Sequence, residues 1–462
     1  MTTLIAITGL GILSLIFEIF DFRKAIIPIT IIGLLAILGL TVSEFNSPAS
    51  FYHNMIVVNK FSVTFSSLFI ILTLFLVALS HNFYENHQSK LSDFISIKLF
   101  LLAGAVAMVS FGNLAMFFLG IEILSISLYI LAASNRTKIK SNEAGMKYFL
   151  MGSFASGIIL FGICMVYGAM GSFDIYEISD GSLSAELPIW FPIGMTLLTI
   201  GMLFKVAAVP FHFWAPDVYE GSPTLTTTLM STLVKVVAIS TLYKLFIDLN
   251  LIPSLDNQDL LAPFNLVIAI ISILTMIVGN VMALRQVNVK RMLAFSGISH
   301  AGFMLMTLFS AHSAGSLLYY ASAYSLSGIA AFSVILYVCK NRDNEDIVNF
   351  HGLGKTNPVL AAVLTGSLLS MAGIPIFAGF FAKLVLFGQT IQAGYMVIVI
   401  FAVISSIISV GYYFKLILAM YTKEPNETRD GKNYLYYAVA VIAITLNIII
   451  GLFPSLVLDL LS

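Results

Sequence analysis

Charge is the scarcest property of this sequence. Only 10% of its 462 residues are Asp, Glu, Lys or Arg, and the 23 basic residues cancel the 23 acidic ones. A soluble globular chain carries about 25% charge. A chain this poor in charge, 59% hydrophobic and with a mean hydropathy of +0.98, is a polytopic membrane protein. With no net charge, nothing points to nucleic acid as a partner. Cysteine is nearly absent too. Cys164 and Cys339 each stand alone in an apolar run, with no CxxC pair, so no zinc site or iron–sulfur cluster is expected within the chain. Both thiols read as small, buried apolar packing. The N-terminus lacks a basic n-region and a small-residue cleavage site. Its first apolar run ends in Glu18, Asp21, Arg23 and Lys24, which reads as a retained span rather than a secretory signal. No soluble domain, long linker or low-complexity tract interrupts the rest.

What is present is apolar length. A helix needs about 20 mostly apolar residues to cross roughly 30 Å of hydrocarbon. Candidate spans run Leu4–Phe20, Ala25–Val42, Phe61–Ser80, Phe94–Phe111, Leu114–Ala133, Lys147–Met170 and Pro188–Trp214. They continue with Leu225–Ile247, Pro263–Leu284, Arg291–Ser310, Ser316–Cys339, Pro358–Phe387, Ala393–Tyr421 and Tyr434–Leu460. Gly112-Asn113 separates the fourth span from the fifth. The fold class is all-α, with about fourteen transmembrane helices.

Loop charges orient these spans. Arg23, Lys24, Lys90, Arg136, Lys138, Lys140, Arg285, Lys290, Lys340, Arg342, Lys355, Lys423, Arg429 and Lys432 fall in alternate loops. The opposite loops hold only Lys60 and are acidic at Asp174, Glu177, Asp180, Glu186, Asp256 and Asp259. By the positive-inside rule the basic loops face the cytoplasm and both termini lie on the outer face. A missed span would invert every later loop, so the charge pattern supports the count independently.

An internal repeat is visible. Ala144-Gly145, Tyr148-Phe149 and Ser156-Gly157 are echoed by Ala314-Gly315, Tyr319-Tyr320 and Ser327-Gly328. Pro210 has a counterpart at Gly373-Ile374-Pro375. An odd number of spans separates the copies, so they are inverted, as in many transporter folds. The expected division is N-terminal helices in 1–93, a first inverted repeat in 94–248, a second in 262–421 and a C-terminal helix in 433–462. Span twelve is too long for a straight helix at 1.5 Å per residue, and Gly373 and Pro375 break it. Pro210 breaks span seven. Irregular backbone at membrane depth needs protein or water beside it, so a polar cavity is expected next to each break.

Six ionisable residues fall where charge is expensive: Glu122, Lys147, Lys205, Lys235, His300 and Lys383. A mid-membrane lysine costs about 2.5–3.5 kcal/mol on insertion scales, and such residues mark ion or proton pathways. Lysine can pass protons when burial lowers its pKa, and histidine needs little tuning. Lys147 can instead snorkel to the interface, Glu122 can form a static ion pair, and His300 can be a hydrogen-bonded core residue. His212 sits near a span end, where an interfacial role and proton transfer are both open. Glu18, Lys244 and Lys415 lie near span ends and read as structural.

FKVAAVPFHFWAPDVYEGSPT, from Phe204 to Thr224, resembles the signature of the antiporter-like membrane subunits of bacterial proton-pumping NADH–quinone oxidoreductase (complex I), and its DVYEGSPT ending resembles the subunit N group. LGIEILSISLYIL, EAGMKYFLMGSFASG, SGISHAGFML and AGIPIFAGFFAKLVLFG follow that group in the same order. The resemblance spans roughly residues 60–420 and matches a count of about fourteen spans. It implies that Glu122 and Lys205 form the charged pair of a first half-channel, modulated by Lys147. Lys235 would join the two halves, His300 would continue the hydrophilic axis, and Lys383 would release protons outward. It further implies a subunit of the bacterial cytoplasmic (inner) membrane with no redox cofactor of its own. Quinone, FMN and iron–sulfur clusters would belong to partner membrane and peripheral subunits. Span four has no acidic residue, so coupling through a carboxylate there has no place. A subunit of a cation–proton antiporter and a structural membrane subunit with static charge pairs are the alternatives.

Overall fold

The computed structural model describes residues 1–20, 22–84, 91–181, 187, 189–252, 258–340, 342, 344–425 and 434–461, with backbone alone for 258–262. Asp21, Lys90, Glu186, Asp256, Arg429 and Lys432 therefore lie outside the described residues, as does the side chain of Asp259.

The chain is almost entirely helical. The N-terminal part comprises α1 (Thr2–Ile19), α2 (Ile26–Ser43), a hairpin of β1 (Ala49–Phe51) and β2 (Ile56–Val58), and α3 (Lys60–Phe83). Next come α4 (Leu91–Val109), α5 (Leu114–Ala132), α6 (Ile139–Met170), the short α7 (Ile175–Gly181), α8 (Trp190–Val206) and α9 (Trp214–Gly221). A single long helix then runs through α10 (Thr224–Leu229), a π-helical segment (Met230–Val234) and α11 (Lys235–Asp248). Beyond it lie α12 (Gln258–Leu284), α13 (Val289–Leu305) and α14 (Ala314–Val338). The last part holds α15 (Leu353–Thr356), α16 (Pro358–Ala372), α17 (Ala378–Gln392), α18 (Met396–Thr422), α19 (Tyr434–Leu452) and α20 (Ser455–Leu458).

Among the described residues, 12 helices are long and apolar enough to cross a membrane. The two remaining expected spans are the broken ones. The first is represented by Trp190–Val206 and the second by Pro358–Ala372 followed by Ala378–Gln392. Burial separates core from periphery. The helices Thr224–Asp248, Val289–Phe309 and Ala314–Val338 are 94%, 100% and 94% buried, against 28% for Thr2–Ile19. The three central helices are also the ones that carry Lys235, His300 and a run of serines, threonines and tyrosines.

The turn expected at Gly112-Asn113 is present. Asn113 caps α5, its side chain accepting from the Ala115 amide, which satisfies one of the orphan donors of a helix start. The β-hairpin, which the sequence did not announce, docks on this turn: Val57 N donates to Ser110 O and Gly112 N to Met55 O. Helix–helix contacts elsewhere rely on small residues, as membrane interfaces do. One such contact is between α6 and α8. A Cβ on Gly162 would lie 2.8 Å from Gly194 O, and one on Gly194 would lie 2.8 Å from Gly162 O. Gly194→Leu should therefore force the two helices apart and lower the amount of assembled protein in the membrane. Wild-type levels of Gly194→Leu on a native gel would contradict this packing.

One cysteine departs from expectation. Cys164 is exposed on α6 and Cys339 is partly buried. The outer face of α6 also exposes Phe154 and Phe161, so an apolar run there faces away from the core. An apolar position in a membrane helix does not have to be an interior one.

Candidate functional site

Both helix breaks are built the same way: a helix ends in a left-handed residue and a lysine meets the break. α8 closes at Ala207 (φ 63°), followed by the cis Val209–Pro210 bond. Lys205 sits in its last turn, where the helix dipole favours a cation. Trp214 Nε1 donates to Phe204 O, and Val209 N donates to Thr275 Oγ1, so the polar groups freed by the break find partners. α16 closes at Gly373 (φ 87°), and Ile376 is also left-handed. Lys383, one helix on, returns to this end and donates to Met371 O at 3.1 Å and Ala372 O at 3.0 Å. The break leaves C-terminal carbonyls without their helical donors, and the ammonium takes them. Ser406 Oγ completes the set at 2.8 Å from Lys383 Nζ, and the Phe303 ring lies 4.9 Å away.

Lys205 donates to Ser125 Oγ at 2.8 Å and Ser156 Oγ at 3.2 Å. It makes no ion pair with Glu122 among the described residues. Glu122 stands nearly one turn before Ser125 on α5, and its Oε1 is buried without a hydrogen-bond partner among the described residues. The two members of the expected pair thus approach the same region without touching. A cavity of about 10 Å³ lined by Ser125, Tyr148, Lys205, Val234 and Ala238 lies between Lys205 and the helix of Lys235, with room for about one water.

Lys235 is 2% exposed, and its Nζ has no hydrogen-bond partner among the described residues. It follows the π-helical segment directly, a distortion that often marks functional positions. His300 is also buried. Its Nδ1 lies 2.8 Å from the Tyr320 hydroxyl and its Nε2 3.3 Å from the Tyr413 hydroxyl, which in turn meets Ser296 Oγ. A second small cavity is shared by His300, Tyr320, Tyr324, Ser370 and Lys383.

Lys147 belongs to a different group. Its side chain is 43% exposed and pairs with Glu143 at 2.7 Å and Asp217 at 3.2 Å. Asp217 also receives Arg291 at 2.8 Å, and Arg291 reaches Glu220 at 3.1 Å. Burial alone would raise the Asp217 carboxyl, but Arg291 and Lys147 beside it hold it below the usual carboxylate value. It is ionised at neutral pH, and these pairs persist until the pH falls below the ordinary carboxylate range. Lys147 therefore ties the N-terminal part of α6 to α9, after the first break, and makes no hydrogen bond or ion pair with Lys205 or Glu122 among the described residues.

Some expectations read as structural hold as contacts. Glu18 pairs with Arg23 at 2.7 Å, Lys415 donates to Gln286 O, and Lys244 pairs with Asp248. Lys244, however, is fully inside the protein. Two lysines were missed. Lys98 on α4 is 1% exposed, donates to Ser80 Oγ at 2.6 Å and lies over the Tyr84 ring. The rule that flagged the other span lysines would have found it. Lys290, counted as a loop cation, is buried and donates to Ser222 O and Glu345. Tyr320, noted only as part of the repeat, and Tyr324 and Tyr413 were missed as site residues because tyrosine in an apolar run gives no signal of a polar role. Among the described residues no group of three or more His, Cys, Asp or Glu side chains is placed to hold a metal ion.

The sequence and the fold are similar to those of known proteins. A family model described as NADH:quinone oxidoreductase/Mrp antiporter, TM, matches residues 112–409. The chain is 78% identical to NADH-quinone oxidoreductase subunit N of Flavobacterium johnsoniae, over 100% of both chains. It is 62% identical to the subunit N of Flavobacterium psychrophilum, again over 100% of both. Among solved structures it is similar to a chain of respiratory complex I from Thermus thermophilus with bound aureothin, at 29% identity and a TM-score of 0.83, covering 99% of this chain and 98% of that one.

Proposed function

The chain belongs to the subunit N family of NADH-quinone oxidoreductases, and on that premise we propose that Glu122, Lys205, Lys235, His300 and Lys383 carry protons through it. It is a multi-pass membrane subunit of a respiratory NADH–quinone oxidoreductase, a translocase that works with other membrane and peripheral subunits. In this reading Glu122 and Lys205 load the proton, Lys235 passes it between the halves, His300 continues the axis and Lys383 releases it. Lys147 acts on the loading site indirectly, through Asp217 on α9, after the first break. The inverted repeats are taken as 94–248 and 262–421, flanked by N-terminal helices in 1–93 and a C-terminal helix in 433–462. The chain is read as lying in the bacterial inner membrane, and the distribution of basic loops supports both termini outside. Quinone, FMN and iron–sulfur clusters are assigned to partner subunits.

One observation supports this most. Lys205 and Lys383 are held by hydroxyls and carbonyls, not by carboxylates. A lysine among neutral acceptors can release its proton without leaving an unpaired anion behind. Each can therefore switch between ammonium and amine, which a static ion pair cannot do cheaply. Like-charge repulsion between neighbouring lysines then favours movement of a proton along the row.

Purification through a tag on this chain tests the reading. Flavin and iron–sulfur absorbance should co-purify with the whole complex and be absent from the chain once it is separated. A tagged preparation that contains only membrane proteins, exchanges sodium for protons and oxidises no NADH would favour the antiporter alternative.

A further inference from the structure

No direct hydrogen bond joins Lys235 to His300 among the described residues: Lys235 Nζ has none, and both ring nitrogens of His300 face tyrosine hydroxyls. The side chain between them is Tyr324. Its ring centroid lies 4.8 Å from that of His300. Its hydroxyl lies 3.2 Å from Ser231 Oγ, and Ser231 is one helical turn before Lys235. Tyr324 also lines the cavity that holds His300 and Lys383. A single side chain thus reaches the helix turn of the central lysine through its hydroxyl and also borders the terminal cavity.

Gly297, on α13, explains how the two approach. A Cβ built there would lie 2.9 Å from Lys235 Nζ and 2.9 Å from the Tyr324 hydroxyl. The two polar atoms are therefore no further apart than twice that distance, and both press on the position that a side chain would take. A separation within that bound can be spanned by one bridging water. Gly297 is not among the residues with positive φ, so its backbone does not require glycine. In the middle of a helix it is about 0.5–1 kcal/mol less favourable than alanine. Its smallness is the property in use.

We propose that Tyr324 is the proton relay between Lys235 and the His300–Lys383 cavity, and that Gly297 keeps the gap beside it open. The proposal rests on the reading that Lys235 and Lys383 lie on the proton path. In the step, the Lys235 ammonium gives a proton to the bridging water. The water passes one of its own to the Tyr324 oxygen, and the Tyr324 O–H proton leaves to a water in the cavity. Lysine ends as the amine, tyrosine ends neutral, one proton has moved and no electron has. A hydroxyl suits this because it donates and accepts at once.

The test uses the whole complex in vesicles. Tyr324→Phe removes only the hydroxyl and should slow proton transfer through this subunit by about tenfold or more, given what positioned proton-transfer groups contribute. Gly297→Ala should slow it as well, although alanine improves the helix and assembly stays normal. Gly297→Ser is bulkier than alanine but returns a hydroxyl to the gap, so it should pump better than Gly297→Ala. A purely steric role for Gly297 predicts the reverse order. Wild-type pumping by Tyr324→Phe while Lys235→Met is defective would overturn the relay alone. Wild-type pumping by both would overturn the path on which the relay rests.

Discussion

Vesicles carrying Lys205→Ala should assemble the complex at its normal level and pump protons slowly. The loss should be on the order of 10²-fold for transfer through this subunit, the lower part of the range for a positioned acid or base. The structural effect is a balance of two opposing contributions. Removing Lys205 leaves the hydroxyls of Ser125 and Ser156 without their donor, at about 1–3 kcal/mol for each group that stays unsatisfied, and it relieves the desolvation of a buried ammonium. Lys205→Arg separates charge from chemistry. Arginine keeps the positive charge but does not release a proton near neutral pH. A site that needs only a cation would accept it, whereas a site that passes protons would not, so Lys205→Arg should assemble and still pump slowly.

Lys383 should show a larger structural effect together with the same functional one. Its ammonium serves Met371 O, Ala372 O and Ser406 Oγ at the second break. Lys383→Ala leaves those carbonyls without that donor, and each buried group left unsatisfied costs about 1–3 kcal/mol. Less assembled complex and little proton release are expected from Lys383→Ala. Lys383→Arg should restore the donor and the assembly without restoring release. If Lys383→Arg restored both, measured as complex content and as pumping rate, the residue would be a structural cation at the broken helix.

Much of this was legible in the sequence because membranes make polar groups conspicuous. Pro210 and the Gly373–Pro375 stretch interrupt apolar runs, and both breaks occur there. Lys205, Lys235 and Lys383 are conspicuous for the same reason. The pairing of these groups was less legible. Glu122 and Lys205 were expected to form a charged pair, yet Lys205 is held by Ser125 and Ser156. Serines in a helix give no sequence signal that distinguishes a bond to the preceding turn from a bond to a neighbouring helix. Lys147 was expected near the cytoplasmic entry as a modulator of that pair; its partners, Asp217 and Glu143, were not legible because the segment after the first break folds back over α6. Lys290 passed as a loop charge because it stands at a helix start, where burial depends on what packs above it. The tyrosines around His300 were invisible because a buried hydroxyl and a buried ring look alike in an apolar run.

The measurement closest to the central claim is the number of protons moved per NADH oxidised by vesicles containing the whole complex with Lys205→Arg. Proton passage through Lys205 predicts a lower ratio than wild type at equal complex content, although charge and assembly are retained. A wild-type ratio would contradict it.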